Sequence, residues 1–294
     1  MSAGQRGIDL FHAFVYRAPG RSGAPILPVI YDLSHVRMPD MHPVSRVRWL
    51  DSVAAEATQA RYIHTISEFT AMEIVTLLGV PKTRIRVIYP GLSPIYRRML
   101  DPDPDIYRQL DLRKFEYAVT VSTLEPRKNL RTLVLAYMQL PARVRERIPL
   151  CIVGANGWGD LHLPSDVRSL ERSGSIRFLG FLNDTSLHDL LCGARITLYP
   201  SLYEGFGIPI IEALACGSSL ACSDAASMPE AAGIHATLIN PLDVDAWAAE
   251  ITTAADSNRH MDENLRSARR RHAVGFDWDI SARQTLRLYD EIIA

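Results

Sequence analysis

Two glutamates eight residues apart, Glu204 and Glu212, enclose the segment EGFGIPIIE. A carboxylate accepts hydrogen bonds from ribose or sugar hydroxyls, each contributing roughly 1.5–3 kcal/mol when charge-assisted. Before them, the short apolar run 196–199 reads as a buried parallel strand that Pro200 ends. Gly205-Phe206-Gly207 make a turn, and Pro209 suits the first turn of a helix, where its missing N–H costs nothing. Ile210, Ile211, Leu214 and Ala215 recur at helical spacing, and Gly217 fits the stop. Strand, glycine turn and helix together aim backbone N–H groups and the positive end of a helix dipole at the carboxyl edge of a sheet. The chemistry this allows is capture of an elongated ligand: Gly205, Phe206, Gly207 and Ile208 around an anionic centre, one glutamate towards each end. In the plainer alternative, Glu204 is a solvated turn residue and Glu212 only balances the helix dipole.

A second such turn lies upstream. The apolar run 117–121 predicts a strand, 122–129 a turn containing Pro126, and the residues through 140 a helix. Arg127 and Lys128 therefore fall at a sheet's carboxyl edge, where ligands bind in folds of this kind. An exposed basic pair without a ligand is the competing reading. The run 149–153 ends in the turn GANGWG, and the run 176–179 ends in Gly180-Phe181-Leu182. Neither H-E-x-x-H, D-x-D nor a paired His–Cys site is visible, so no metal is expected, and no cofactor is implied. Cys151, Cys192, Cys216 and Cys222 form no C-x-x-C and lie in apolar segments, which reads as reduced, buried thiols of a cytoplasmic protein.

These segments resemble, in order, the family 4 retaining glycosyltransferases (glycosyl transferases group 1), which have the GT-B fold. EGFGIPIIE is similar to the family's E-x7-E signature, TLEPRKNL to its donor-phosphate turn and RFLGFLNDTSLHDLLCGA to its nucleobase-side strand and helix. SDAASMPEAAG and FDWDISARQTLRLYDEI resemble the segments that follow. The resemblance implies that Glu204 contacts the donor sugar and steadies charge at its anomeric carbon, and that Glu212 holds the ribose. Lys128 and the 205–208 turn would take the diphosphate without a metal. Phe181 and Leu182 would meet the base. The family's Arg after the first strand has no counterpart at Ser122, Thr123 or Leu124, and Arg127 is the residue available to compensate. On the acceptor and sugar side, Asp32 matches a family residue usually preceded by His. Tyr31 stands in that place, and His35 is offered as its substitute, with a loop histidine capping a backbone group as the alternative. Ser67 in S-E-F reads first as a helix cap.

The whole is expected to be an α/β protein of two Rossmann-like, parallel-sheet lobes. Residues 1–100 would form a partial N-terminal, acceptor-side lobe, with strands at 8–14, 26–31, 62–66 and 85–89 and helices at 43–60 and from Ser67 to Gly79. The linker 101–114 is rich in Pro and Asp. Residues 115–275 would form the nucleotide-sugar domain, and helix 276–294 would return to the first lobe. The first lobe lacks the glycine-rich turn and early strands of the family, which predicts an uncovered sheet edge for another chain, a second copy or a membrane to meet. A partner-dependent, non-catalytic nucleotide-sugar subunit is therefore the rival of the enzyme. A dinucleotide-binding protein is disfavoured because no G-x-G-x-x-G follows a strand.

At 294 residues, 47% hydrophobic and 22% charged, the composition is globular, and a net charge of -1 gives no case for nucleic acid. Residues 1–100 carry 12 basic and 7 acidic side chains, against 20 and 26 in the remainder. A front lobe of net +5 suits peripheral contact with the inner face of a membrane or with a lipid-linked acceptor. The expected partners are thus a GDP- or UDP-linked sugar donor, such as GDP-mannose, and a glycan or lipid-linked acceptor.

Overall fold

A computed structural model of the chain describes residues 7–14, 23–97 and 102–294. The first residue of the expected linker, 101, lies outside these residues. The chain divides into two compact units. Unit 1 takes Met1–Gly91, Glu204–Phe206 and Phe276–Ala294; unit 2 takes Leu92–Tyr203 and Gly207–Gly275.

Unit 1 holds a four-stranded parallel sheet in the order β1-β2-β3-β4, from β1 (Phe11–Ala13), β2 (Ile26–Ile30), β3 (Ile63–Thr65) and β4 (Ile85–Val87). Two longer helices lie within these strands' sequence, α1 (Val44–Ala57) and α2 (Glu68–Leu78). Ser67 caps α2 by accepting from the Thr70 N–H at 3.0 Å, and Gly79 ends it in the left-handed conformation. Ile30, Leu33, Ile63, Ile74 and Ile85 form one core of this unit. Leu27, Ile88, Leu288 and Ile292 form another, which the last helix of the chain closes.

Unit 2 holds a six-stranded parallel sheet in the order β10-β9-β8-β5-β6-β7. Its strands are β5 (Ala118–Val121), β6 (Leu150–Val153), β7 (Ile176–Gly180), β8 (Ile196–Tyr199), β9 (Leu220–Ser223) and β10 (Thr237–Ile239). β5, β6, β8 and β9 are buried at every position, which is why their sequences are continuous apolar runs without alternation. The helices that bear on the site are α3 (Leu130–Gln139), α4 (Asp184–Cys192), α5 (Ile208–Ala215), α6 (Val244–Asp256) and α7 (Glu263–Ala273). Trp247 and Tyr137 are fully buried between helix and sheet, and burying a side chain of that size contributes about 3 kcal/mol. The connection expected at 101–114 is more ordered than its composition suggests. Asp105–Gln109 is helical, and Tyr107 is buried with its hydroxyl donating to the Asp189 carbonyl at 2.9 Å. Two apolar residues, Ile106 and Tyr107, outweigh the surrounding Pro and Asp.

The final helix α8 (Trp278–Ile293) belongs to unit 1. The Tyr289 hydroxyl pairs with His12 at 2.7 Å, and His12 meets His64 at 3.2 Å. Among the described residues no helix is long and apolar enough to cross a membrane.

Candidate active site

In unit 2, every sequence-expected donor residue follows the carboxyl end of a strand. Beyond β5 the chain makes a 3-10 turn, Pro126–Lys128, and Asn129 takes the left-handed conformation (φ 56°) that a short polar side chain tolerates. The Asn129 amide donates to the Pro200 carbonyl at 3.0 Å and to the Pro241 carbonyl at 2.7 Å, tying three strand-end loops together. Thr132 fixes its orientation by donating to Oδ1 at 2.7 Å. Sequence reading missed this residue. Its signal was an Asn directly before an apolar helical run.

Lys128 sits at the end of that turn, its Nζ 5.9 Å from the Tyr199 ring centroid. Arg127 has a different place from the one expected. Its guanidinium donates to the Tyr203 carbonyl at 2.6 Å and to the Glu125 carboxylate at 2.7 Å, and the Leu202 N–H donates to the Arg127 carbonyl at 2.9 Å. Arg127 is therefore a brace for the 199–203 loop, built on the buried carboxylate of Glu125. That bracing engages the fork expected to bind phosphate.

The turns after β6 and β7 meet through the Gly154 N–H, which donates to the Gly180 carbonyl at 2.8 Å. Phe181 follows directly and is 76% exposed, so ordinary core packing does not account for it. Leu182 is half-buried beside it, and Asn183 caps α4 by accepting from Ser186 N–H at 2.9 Å.

After β8, Gly207 opens α5 with φ 103°, a conformation that favours glycine, and Pro209 follows in the first turn. Glu212 lies one turn into α5. Burial first, then the Asp184 carboxylate, push its carboxyl up to about 7. The far end of α5 is closed by α7: Arg266 donates to the Cys216 carbonyl and Arg269 to the Gly217 carbonyl, both at 3.3 Å. Two cations at a helix C-terminus complement its dipole. A cavity of about 210 Å3 opens at the opposite, amino edge of this sheet, lined in part by Arg195, Ser219, His235, Glu250 and Arg269. None of the expected donor residues lines it.

Unit 1 contributes the remaining candidates. Glu204 is buried, and so is Phe206, whose ring lies 5.7 Å from that of Tyr89 and 5.2 Å from that of Phe276. The Phe206 side chain thus anchors the loop by packing, which leaves only its backbone for the expected diphosphate contact. A Cβ on Gly205 would stand 2.1 Å from the Tyr31 carbonyl, so only glycine fits there. Thr70 Oγ1 lies 3.3 Å from the Gly205 carbonyl and 3.4 Å from that of Tyr31, on the residue that Ser67 also engages. Asp32 accepts from the Ser34 N–H at 2.9 Å and its hydroxyl at 2.7 Å, a local turn.

His35 is only 2% exposed, and burial lowers its pKa despite Asp51 Oδ1 at 3.7 Å. Neither ring nitrogen makes a hydrogen bond among the described residues, so it caps no backbone group either. A sugar contact needs an accessible donor, and the burial of His35 in the short helix Ser34–Arg37 denies it that role.

The expectation of no paired His–Cys site is also corrected. His188 and Cys192, four apart on α4, meet Cys216 at the end of α5, with their ligand atoms all within 4.8 Å of one another. The four cysteines are free and buried. Burial pushes the thiols of Cys151 and Cys222 up to about 12, whereas the Cys216 thiol, the main influence, and His188 draw that of Cys192 down to about 5.

Residues 104–272 match the family described as Glycosyl transferases group 1. The chain is similar to O-antigen chain mannosyltransferase B of Escherichia coli, at 36% identity over 88% of this chain and 68% of that protein. It is also similar to the serotype-specific mannosyltransferase WbdA of Escherichia coli, at 32% identity over 65% of this chain, which spans 24% of that protein. Among solved structures, that of Anabaena HepE in complex with UDP and glucose superposes with a TM-score of 0.72 at 20% identity, covering 90% of this chain and 71% of that one. The fold is GT-B.

Proposed function

The chain belongs to the glycosyl transferases group 1 family, and from that premise we propose that it is a retaining, metal-independent mannosyltransferase using GDP-mannose. Its acceptor is a glycan or a lipid-linked glycan. The observation that carries this reading is the pairing, at one sheet edge of unit 2, of the Lys128 turn with the glycine-initiated helix α5. A cation and a helix N-terminus are what a leaving nucleoside diphosphate needs as the sugar–oxygen bond breaks and negative charge builds on it. The mannosyltransferase relatives support mannose over other hexoses.

In this reading Lys128 and the Gly207–Ile208 backbone hold the diphosphate. Glu212 accepts from the ribose hydroxyls, Phe181 stacks on the base and Leu182 lines its edge. The family resemblance assigns Glu204 the role of steadying positive charge at the anomeric carbon, and Asp32 an acceptor-side role. Arg127 acts through the loop it braces and is a positioning residue. The test is transfer from GDP-mannose by the purified chain to a mannose-terminated acceptor, with chelator present throughout. An α-linked product at full rate in chelator supports the reading; a β-linked product, or loss of activity on chelation that Mg2+ or Mn2+ restores, refutes it.

A further inference from the structure

We propose that His188, Cys192 and Cys216 form a buried site for one thiophilic d10 cation, Zn2+ or Cu+, at the end of α5 remote from its ligand-facing N-terminus. The inference does not rest on the transfer reaction.

Three features of the geometry carry it. First, one ligand pair already stands at the coordination spacing and the third ligand atom is near it. With metal–sulfur and metal–nitrogen bonds of about 2.3 and 2.05 Å, tetrahedral sulfur and nitrogen ligands stand about 3.6 Å apart. Cys192 Sγ lies 3.5 Å from His188 Nε2, and Cys216 Sγ completes the group within 4.8 Å. Second, His188 is pre-oriented. Asp189 Oδ1 stands 2.9 Å from its Nδ1 and accepts that N–H, which leaves the Nε2 lone pair facing Cys192. A carboxylate behind a histidine is the arrangement that fixes tautomer and ring direction at metal sites. Third, the ligand set is enclosed and soft. His188 is 2%, Cys192 6% and Cys216 2% exposed, and the Tyr96 ring packs 5.7 Å from the imidazole. Two thiolates and an imidazole select Zn2+ or Cu+ over hard cations.

The charges balance. Both thiol protons leave on binding, so Zn2+ gives a neutral cluster, and Cu+ a singly negative one beside the Arg266 guanidinium that engages the Cys216 carbonyl. Glu212, one helical turn before Cys216, shares α5 with the site, so a bound cation would tie α4 to the helix that presents Glu212.

The test uses the full chain, reduced and free of chelator. Cobalt(II) is titrated as a spectroscopic probe, then displaced by Zn2+, and Cu+ is titrated anaerobically against a competing chelator. The expected result is one equivalent, with a thiolate-to-cobalt charge-transfer band that Zn2+ bleaches. The band is lost in Cys192→Ser, kept in Cys151→Ser, and affinity falls roughly 10–100-fold in Asp189→Asn. X-ray absorption of the loaded wild type should read two sulfurs and one imidazole, which needs no variant to fold. A folded wild type that takes up neither Zn2+ nor Cu+ at one equivalent overturns the proposal, and so does a shell without sulfur. Tighter Cu+ than Zn2+ binding against matched competitors identifies the copper form of the same site; the reverse identifies zinc.

Discussion

Replacing Glu212 by Gln separates what this carboxyl does for the fold from what it does for a ligand. Burial and Asp184 raise its pKa from 4.5 to about 7. Because the folded value lies above the unfolded one, the fold favours the protonated form. The stability it contributes is full below about pH 4.5 and is lost as pH rises through about 7. At about 1.4 kcal/mol per pH unit, the span from 4.5 to about 7 amounts to about 3 kcal/mol at pH 8. Gln mimics the protonated carboxyl and cannot ionise. Its advantage over the wild type should grow by about 2 kcal/mol or more between pH 5 and pH 8, read by urea unfolding of both proteins at each pH. In the same variant, nucleotide affinity should fall, because an amide is a weaker acceptor for ribose hydroxyls than a carboxylate. A stability difference that is flat from pH 5 to pH 8, or a variant less stable at pH 8, would refute the reasoning.

Other outcomes follow from the same contacts. If Lys128 holds the diphosphate as proposed, Lys128→Ala should weaken GDP binding by about 2 kcal/mol while leaving guanosine binding unchanged; calorimetry reads both. Arg127→Ala strands the buried Glu125 carboxylate and should cost about 3 kcal/mol of stability in chemical denaturation, with a fall in kcat from the unbraced loop. Phe181→Ala removes an exposed ring, so thermal stability should hold while GDP affinity falls about tenfold. In unit 1, burial and then the neighbouring His64 lower His12 to about 4, and burial lowers His64 to about 4. Folded values below the unfolded one give stability that is present above about pH 6.5 and lost as pH falls towards 4, so hydrogen exchange in α8 should accelerate on acidification.

The parts of the site legible in the sequence were those set by local chemistry. Apolar runs without alternation marked β5, β6 and β8, Pro209 and Gly217 bounded α5, and Ser67 marked the start of α2. What could not be read depends on partners far along the chain. Arg127 looked like a phosphate ligand until Tyr203, 76 residues later, claimed its guanidinium. Phe206 sits in a turn that reads as ligand-facing, yet Tyr89 and Phe276 bury it. His35 follows Asp32 by three residues, but the short helix between β2 and α1 turns it inward. The His188, Cys192 and Cys216 group was not read at all, because Cys216 joins the other two only through the packing of α4 and α5.

The measurement that tests the central claim most directly is calorimetric titration of the purified chain with GDP-mannose, with UDP-glucose in parallel, in wild type, Lys128→Ala and Glu204→Gln. The account predicts one GDP-mannose site, binding lost or strongly weakened in Lys128→Ala, and near-wild-type affinity with abolished transfer in Glu204→Gln. Equal affinity in wild type and Lys128→Ala, or tighter binding of UDP-glucose than of GDP-mannose, would contradict it.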